Sequence, residues 1–399
     1  MGEVLALLGG EPVRGGEKAW PVWPVFDRSE EAAVLSVLRS GKWWYGEEVA
    51  AFEREFAAFQ DAKYCVSCSN GTVALEIVLQ ALGIGPGDEV LVPPYTFVAT
   101  ASAVMRVGAT PVFVDVDASW CLDVEQVAAA VTPRTKALMP VHFGGRVCDM
   151  ERMRSVAVAH GLVLIEDACH SWGSKWQGKG TGALGRCGVF SFQHSKNITS
   201  GEGGAIVTDD EELADLCRSI ANCGRGKDGP WYYHVNIGTN ARITEMQGAL
   251  LRAQLSRLES QTVHRERNGQ YLDAALGAIA GLTPQAGDTR ITRRAYHLYC
   301  LHLDAARFGC SRAQFIRAAE AEGLTVSAGY PITLCEQPAI QKFYAAQGRE
   351  LPLCPVAHDL SHSGGMWLLH AQLLGSEEDM EDVVAIVEKI QAHAASIPA

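Results

Sequence analysis

The chain has no long Lys/Arg run, and its acidic residues outnumber the basic ones 46 to 34, giving a formal charge of −12 over 399 residues. That balance argues against a nucleic-acid or anionic-membrane surface and favours small-molecule chemistry. No apolar run approaches the roughly 20 residues that a membrane-spanning helix needs. The N-terminal VLALL is too short for a signal-peptide core and has no basic flank, and Met1-Gly2 lacks Ser or Thr at position 6, so neither export nor myristoylation is expected. A P-loop pattern and a GxSxG nucleophile motif are missing too. The twelve cysteines are scattered rather than clustered, which fits a reduced cytoplasmic protein. Cys65 and Cys68 form one CxxC with no second pair or HxxxH nearby, so they read as buried small side chains rather than a zinc site.

What is present is apolar content sufficient for a sizeable interior, 48% of residues, with 40 glycines in no short-period repeat. The length suggests one large domain plus a smaller one. Short apolar runs recur at YCVSC (64–68), EVLVP (89–93), PVFVDV (111–116), ALMPVHF (137–143), LVLIED (162–167), GVFSF (188–192) and GAIVT (204–208). Amphipathic patterns such as TVALEIVLQAL (72–82), VEQVAAAV (124–131) and DMERMRSVAVAH (149–160) lie between them. This βαβ rhythm predicts an α/β domain with a mostly parallel sheet covered on both faces and ligands at the carboxyl ends of the strands. From Ile243 a stripe of Met246, Leu250, Leu251, Leu255 and Leu258 predicts a long helix. Strand-like YHLYCLHLD (296–304), the helix AQFIRAAEAEG (313–323) and a final helix over 377–394 then suggest a smaller α+β unit. We place the boundary near residue 255, giving 1–255 and 256–399.

GTGALG, Gly180 to Gly185, matches GxGxxG, but polar SKWQGK precedes it and a strand follows, the reverse of a dinucleotide fingerprint. A nicotinamide oxidoreductase is therefore the distant alternative. Lys196 is more informative, because it sits four residues beyond GVFSF, where a sheet of this class presents its active edge. LVLIEDACH brings Asp167 to another strand end, and SCSNGTVAL places Gly71 and Thr72 at a helix start suited to phosphate. Ser191 adds a hydroxyl, and Phe97 in PPYTFVAT offers a ring face. A Schiff-base lysine, a carboxylate for a pyridine nitrogen, a phosphate seat and a stacking aromatic are the parts that pyridoxal 5'-phosphate chemistry needs. Cys169, beside them, reads as packing.

An ordered set of segments resembles the DegT/DnrJ/StrS-type sugar and cyclitol aminotransferases, of fold type I: SGKWWYGEEVAAFEREFA (40–57), SNGTVALEIVLQALGIGPGDEVLVPPYTFVAT (69–100), EDACHSWGS (166–174), FSFQHSKNITSGEGGAIVTDD (190–210) and GTNARITEMQGALLRAQL (238–255). The resemblance implies that Lys196 is the Schiff-base lysine and proton shuttle, that Asp167 pairs with the pyridine nitrogen, and that His170 lies near the phenolic oxygen. It implies Ser191, Gly71 and Thr72 at the phosphate and Phe97 on the ring. Asn240 matches the asparagine that reaches the phosphate of the neighbouring subunit, which implies a homodimer with shared sites. Arg242 is open between substrate, partner and a structural ion pair, and Trp43 and Trp44 between substrate and core. Gln193, MWLLHAQLLG (366–375) and GGEPVR…WPVWP (9–24) look like members that transfer nitrogen from L-glutamine to scyllo-inosose-type ketones. Aminohydroxybenzoate synthases share that Gln and the paired tryptophans, and Asn197 restores a KN dipeptide found in nucleotide-sugar members, so both remain alternatives, with L-glutamate as an alternative donor.

Overall fold

The computed structural model describes residues 4–16 and 18–399. Seven short strands build the central sheet: β1 (Tyr64–Cys68), β2 (Glu89–Val92), β3 (Thr110–Phe113), β4 (Thr135–Leu138), β5 (Val163–Asp167), β6 (Cys187–Ser191) and β7 (Gly204–Thr208). Each coincides with one of the apolar runs, with ends moved by a few residues. The largest difference is β4, which stops at Leu138 rather than continuing to Phe143. Pro140 has no N–H to give the ladder, and only a lone bridge from Val141 to Asp167 follows.

The spatial order is β1-β7-β6-β5-β4-β2-β3. Neighbours from β6 through to β3 pair in parallel, and β7 alone runs antiparallel, to both β6 and β1. Alternate residues feed two different cores, as strand geometry requires. Val66, Val189 and Ile206 pack with Leu75 and Val78 of the helix Gly71–Ala81 and with Cys217 of the helix Glu211–Ala221. Cys65, Phe190 and Val207 face the other way, onto Phe52 and Phe56 of the helix Glu47–Phe59. A sheet apolar on both faces leaves its strand ends as the place for polar chemistry.

The stripe beginning at Ile243 belongs to one unbroken helix, Glu245–Gly277, started by a capping box in which Thr244 and Gln247 satisfy each other's backbone N–H. Leu251 and Leu258 pack on the central-sheet side, whereas Leu272 and Leu276 enter a separate core with Leu301, Phe315 and Ile386. Residue 255 therefore lies within a helix common to both cores. The second core is built on a three-stranded antiparallel sheet of Leu282–Pro284, Leu298–Leu303 and Gly365–Leu369, with helices Arg312–Ala321 and Glu377–Ala392. A further small sheet pairs Lys175–Trp176 with Ile291–Arg293 on one side and Lys179–Gly180 on the other. Among the described residues no helix is long and apolar enough to cross a membrane.

Candidate active site

The carboxyl ends of β1, β5 and β6 and the loop after β2 converge on a cleft of about 900 Å³. Gly71, Thr72, Phe97, Asp167, His170, Ser191 and Lys196 all line it, although they come from four separate segments. Asn240 does not: it is exposed and bridges Asn222.

Asp167 ends β5 and is buried. Its Oδ2 accepts from Thr100 Oγ at 2.8 Å, and its Oδ1 accepts from the Cys169 N–H at 3.2 Å. Thr100 is in turn 3.1 Å from the Thr96 hydroxyl, so a short chain of hydroxyls fixes the carboxylate. Strand β5 finishes in two carboxylates, and the structure separates their tasks. Glu166, fully buried, accepts from the backbone N–H groups of Gly182, Leu184 and Gly185 at 2.8, 2.7 and 2.6 Å, with His142 Nε2 2.9 Å away. The GTGALG segment is thus a nest for a protein carboxylate, which is why it mimics a phosphate-binding pattern. Glu166→Gln should lower stability by about 2 kcal/mol, because an amide meets three N–H groups with one acceptor fewer and no charge. The denaturation midpoint measures this, with the m-value unchanged.

The helix Gly71–Ala81 begins at the cleft. Asn70 caps it by accepting from the Val73 N–H at 2.9 Å, and among the described residues the Gly71 and Thr72 N–H groups have no acceptor. A Cβ at Gly71 would lie 2.9 Å from Ser191 Cβ and 3.1 Å from Cys169 Sγ, so only glycine lets the helix start this close to β6.

Lys196 lies in the turn after β6, where its N–H donates to Gln193 O at 2.9 Å. Its Nζ has neither hydrogen bond nor ion pair among the described residues and sits 5.8 Å from the centre of the Trp172 ring. Desolvation lowers its pKa, with Cys169 and Asp167 opposing. The next residue pins the loop: Asn197 donates to Ala295 O at 3.1 Å and accepts from His297 Nδ1 at 2.9 Å. Behind the lysine stand three imidazoles, with ring centres 4.4 Å apart for His170 and His297 and 5.5 Å for His297 and His370. Burial holds all three well below the usual histidine range, so they are neutral. His170 Nδ1 accepts from the Gly144 N–H at 3.3 Å, which leaves the ring proton on Nε2.

Several residues that shape the site were not singled out by the sequence, although some lie within segments quoted above. Thr96 and Thr100 follow β2, His297 opens the strand Leu298–Leu303, and Tyr330, Trp367 and Leu369 come from the C-terminal part. Only the fold brings them to the cleft. Among the described residues Arg242 makes no ion pair; it donates to Asn222 Oδ1 at 2.8 Å and lies 5.4 Å from the Trp44 ring centre. Trp43 and Trp44 are exposed and outside the cleft lining. Cys65 and Cys68 are buried free thiols in the packed interior, and burial pushes that of Cys68 up to about 12.

The chain is 39% identical over 385 residues to the 3-amino-5-hydroxybenzoate synthase of Amycolatopsis mediterranei, covering 94% of this chain and 98% of that one. It is 37% identical over 428 residues to an L-glutamine:2-deoxy-scyllo-inosose aminotransferase of Streptomyces lividus, covering 100% of both. Its fold matches the crystal structure of a 3-amino-5-hydroxybenzoic acid synthase with a TM-score of 0.85 at 37% identity, covering 95% of this chain and 99% of that one. With residues 24–388 matching throughout, the chain belongs to the DegT/DnrJ/EryC1/StrS aminotransferase family and is an aminotransferase of the pyridoxal-phosphate-dependent type.

Proposed function

We propose that this enzyme moves an amino group from L-glutamine or L-glutamate to the ketone of a scyllo-inosose-like carbocycle, with pyridoxal 5'-phosphate held in the cleft described above. The observation that carries the cofactor assignment is a lysine amine, without a partner among the described residues, sharing a cleft with a carboxylate whose two oxygens are both fixed. The cleft fits the group in a further respect: two unpartnered N–H groups open a helix beside the Ser191 hydroxyl, at a glycine that has no room for a Cβ. Gly71, Thr72 and Ser191 would hold the phosphate, Phe97 would present its ring face, Asp167 would meet the pyridine nitrogen, and His170 would lie near the phenolic oxygen. When bound, the cofactor supplies an electron sink conjugated to the substrate nitrogen.

The chain's own residues perform the remaining work. Desolvation raises the share of neutral Lys196 at working pH, so its Nζ can take a proton from the donor's α-carbon and return it. Asp167, held by Thr100 and the Cys169 N–H, keeps its negative charge aimed at one place and favours a proton on the ring nitrogen. Neutral His170 can donate from Nε2 without adding a positive charge beside Lys196.

The family relation to inosose aminotransferases supports the acceptor class, as do the placements of Gln193, Trp367 and Leu369 in the cleft and of Trp23, which donates to His194 O at 2.8 Å. A second reading, aminohydroxybenzoate synthesis, is favoured by the 39% identity to such an enzyme. We also take the enzyme as a homodimer with shared sites, in which Asn240 reaches the phosphate of the neighbouring site. Exposed Trp231, Tyr232, Tyr233 and Ile237, a few residues before it, give that surface the apolar character of an interface. The division near residue 255 into a cofactor-binding part and a smaller C-terminal part belongs to the same reading.

The test supplies L-glutamine with scyllo-inosose, 2-deoxy-scyllo-inosose or a nucleotide-linked 4-keto-sugar, and detects the amino product by mass spectrometry. We expect an aminocyclitol. Amination of the nucleotide sugar alone contradicts the acceptor assignment.

A further inference from the structure

Away from the cleft, Glu336 follows a turn begun by Thr333, and His358 and His362 lie on the helix Pro355–His362. The histidines are at positions i and i+4, which puts them on one helix face, and their ring centres are 4.3 Å apart with the planes 30° from parallel. Both turn Nε2 toward the same oxygen: His362 Nε2 is 2.8 Å and His358 Nε2 3.9 Å from Glu336 Oε1. The other carboxylate oxygen accepts from the Thr333 N–H at 2.7 Å, which holds Oε1 toward the imidazoles. All three donor atoms lie within 4.8 Å of one another.

We propose that Glu336, His358 and His362 form a binding site for a divalent transition-metal ion of the zinc type. Zinc sits about 2.0–2.1 Å from nitrogen and carboxylate oxygen, which in a tetrahedron separates the ligand atoms by roughly 3.3 Å. The separations of 2.8 and 3.9 Å bracket that value, so small side-chain rotations suffice. On binding, the ring proton that His362 holds toward Glu336 moves by tautomerisation to Nδ1, so that each imidazole offers its Nε2 lone pair to the ion while Glu336 offers its carboxylate oxygen. Two imidazoles with one carboxylate select zinc, copper or nickel over magnesium and calcium. With three protein ligands and both histidines at the surface, a fourth position stays open to water. The ion would tie this helix to the segment carrying Leu334, whose N–H donates to Pro94 O at 2.8 Å, and Tyr330, which lines the cleft.

The test is equilibrium dialysis of the chelator-treated holoenzyme against Zn²⁺ alone, comparing wild type with His362→Ala, His358→Gln and Glu336→Gln. None of these residues belongs to the cleft, so aminotransferase activity serves as the folding control. We expect wild type to hold one more zinc per protomer than His362→Ala at micromolar free metal, with at least tenfold weaker binding at this site in each variant. Identical zinc uptake by wild type and all three variants overturns the proposal, and so does the absence of saturable binding below millimolar zinc.

Discussion

Lys196→Ala should abolish amino transfer, lowering kcat/KM at least about 10³-fold, while the chain stays folded. No hydrogen bond or ion pair is lost with this side chain, because its Nζ has none among the described residues, and the turn is held by the Lys196 backbone and by Asn197. The loss is therefore chemical. An arginine at this position restores the charge but not the activity, since a guanidinium does not give up its proton. The lowered pKa of Lys196 adds a pH expectation. A base must be neutral to act, so the rate should rise with pH, and a depressed pKa moves that rise below the ordinary lysine value of 10.5. Steady-state rates with L-glutamine across pH, together with circular dichroism of both variants, check this.

Asp167→Asn should cost about 10²- to 10³-fold in kcat at nearly unchanged stability. The amide keeps the carboxylate's shape, its oxygen can still accept from the Cys169 N–H, and the Thr100 hydroxyl, tied to Thr96, can turn round and accept from the new NH₂. What disappears is the negative charge that, in the proposed reading, would face the ring nitrogen. Lost activity with an unchanged unfolding midpoint supports that role. Equal losses of activity and stability would make Asp167 a structural carboxylate like its neighbour Glu166, whose four partners are all protein groups.

The contrast between Asp167 and Glu166 shows what the sequence conveys and what it withholds. The strands were legible because each central-sheet segment is an apolar run bounded by turn residues, and β1 and β7 begin and end where their runs do. Gly71, Ser191 and Lys196 were legible because strand-to-loop position alone brings residues to the carboxyl edge of such a sheet. Asp167 too is placed by its position at the strand end and by the family resemblance, whereas nothing local in LVLIED says what holds the neighbouring Glu166. That depends on the strand's pleat and on GTGALG folding back over Glu166 across a gap of about fifteen residues. His297, Thr100 and Tyr330 were hidden for a similar reason. Each is an ordinary polar residue in its own segment and acquires a place only when the C-terminal sheet and the loop after β2 close around the cleft. The single helix Glu245–Gly277 likewise runs through the expected boundary because its two halves serve two cores, and periodicity does not distinguish them.

The most direct measurement is to reduce the purified holoenzyme with borohydride, which makes a lysine–cofactor link permanent, and to map the modified peptide by mass spectrometry. Our account predicts a pyridoxyl group on Lys196 and on no other lysine. A label on a different lysine, or none after the cofactor has been supplied in excess, would contradict it.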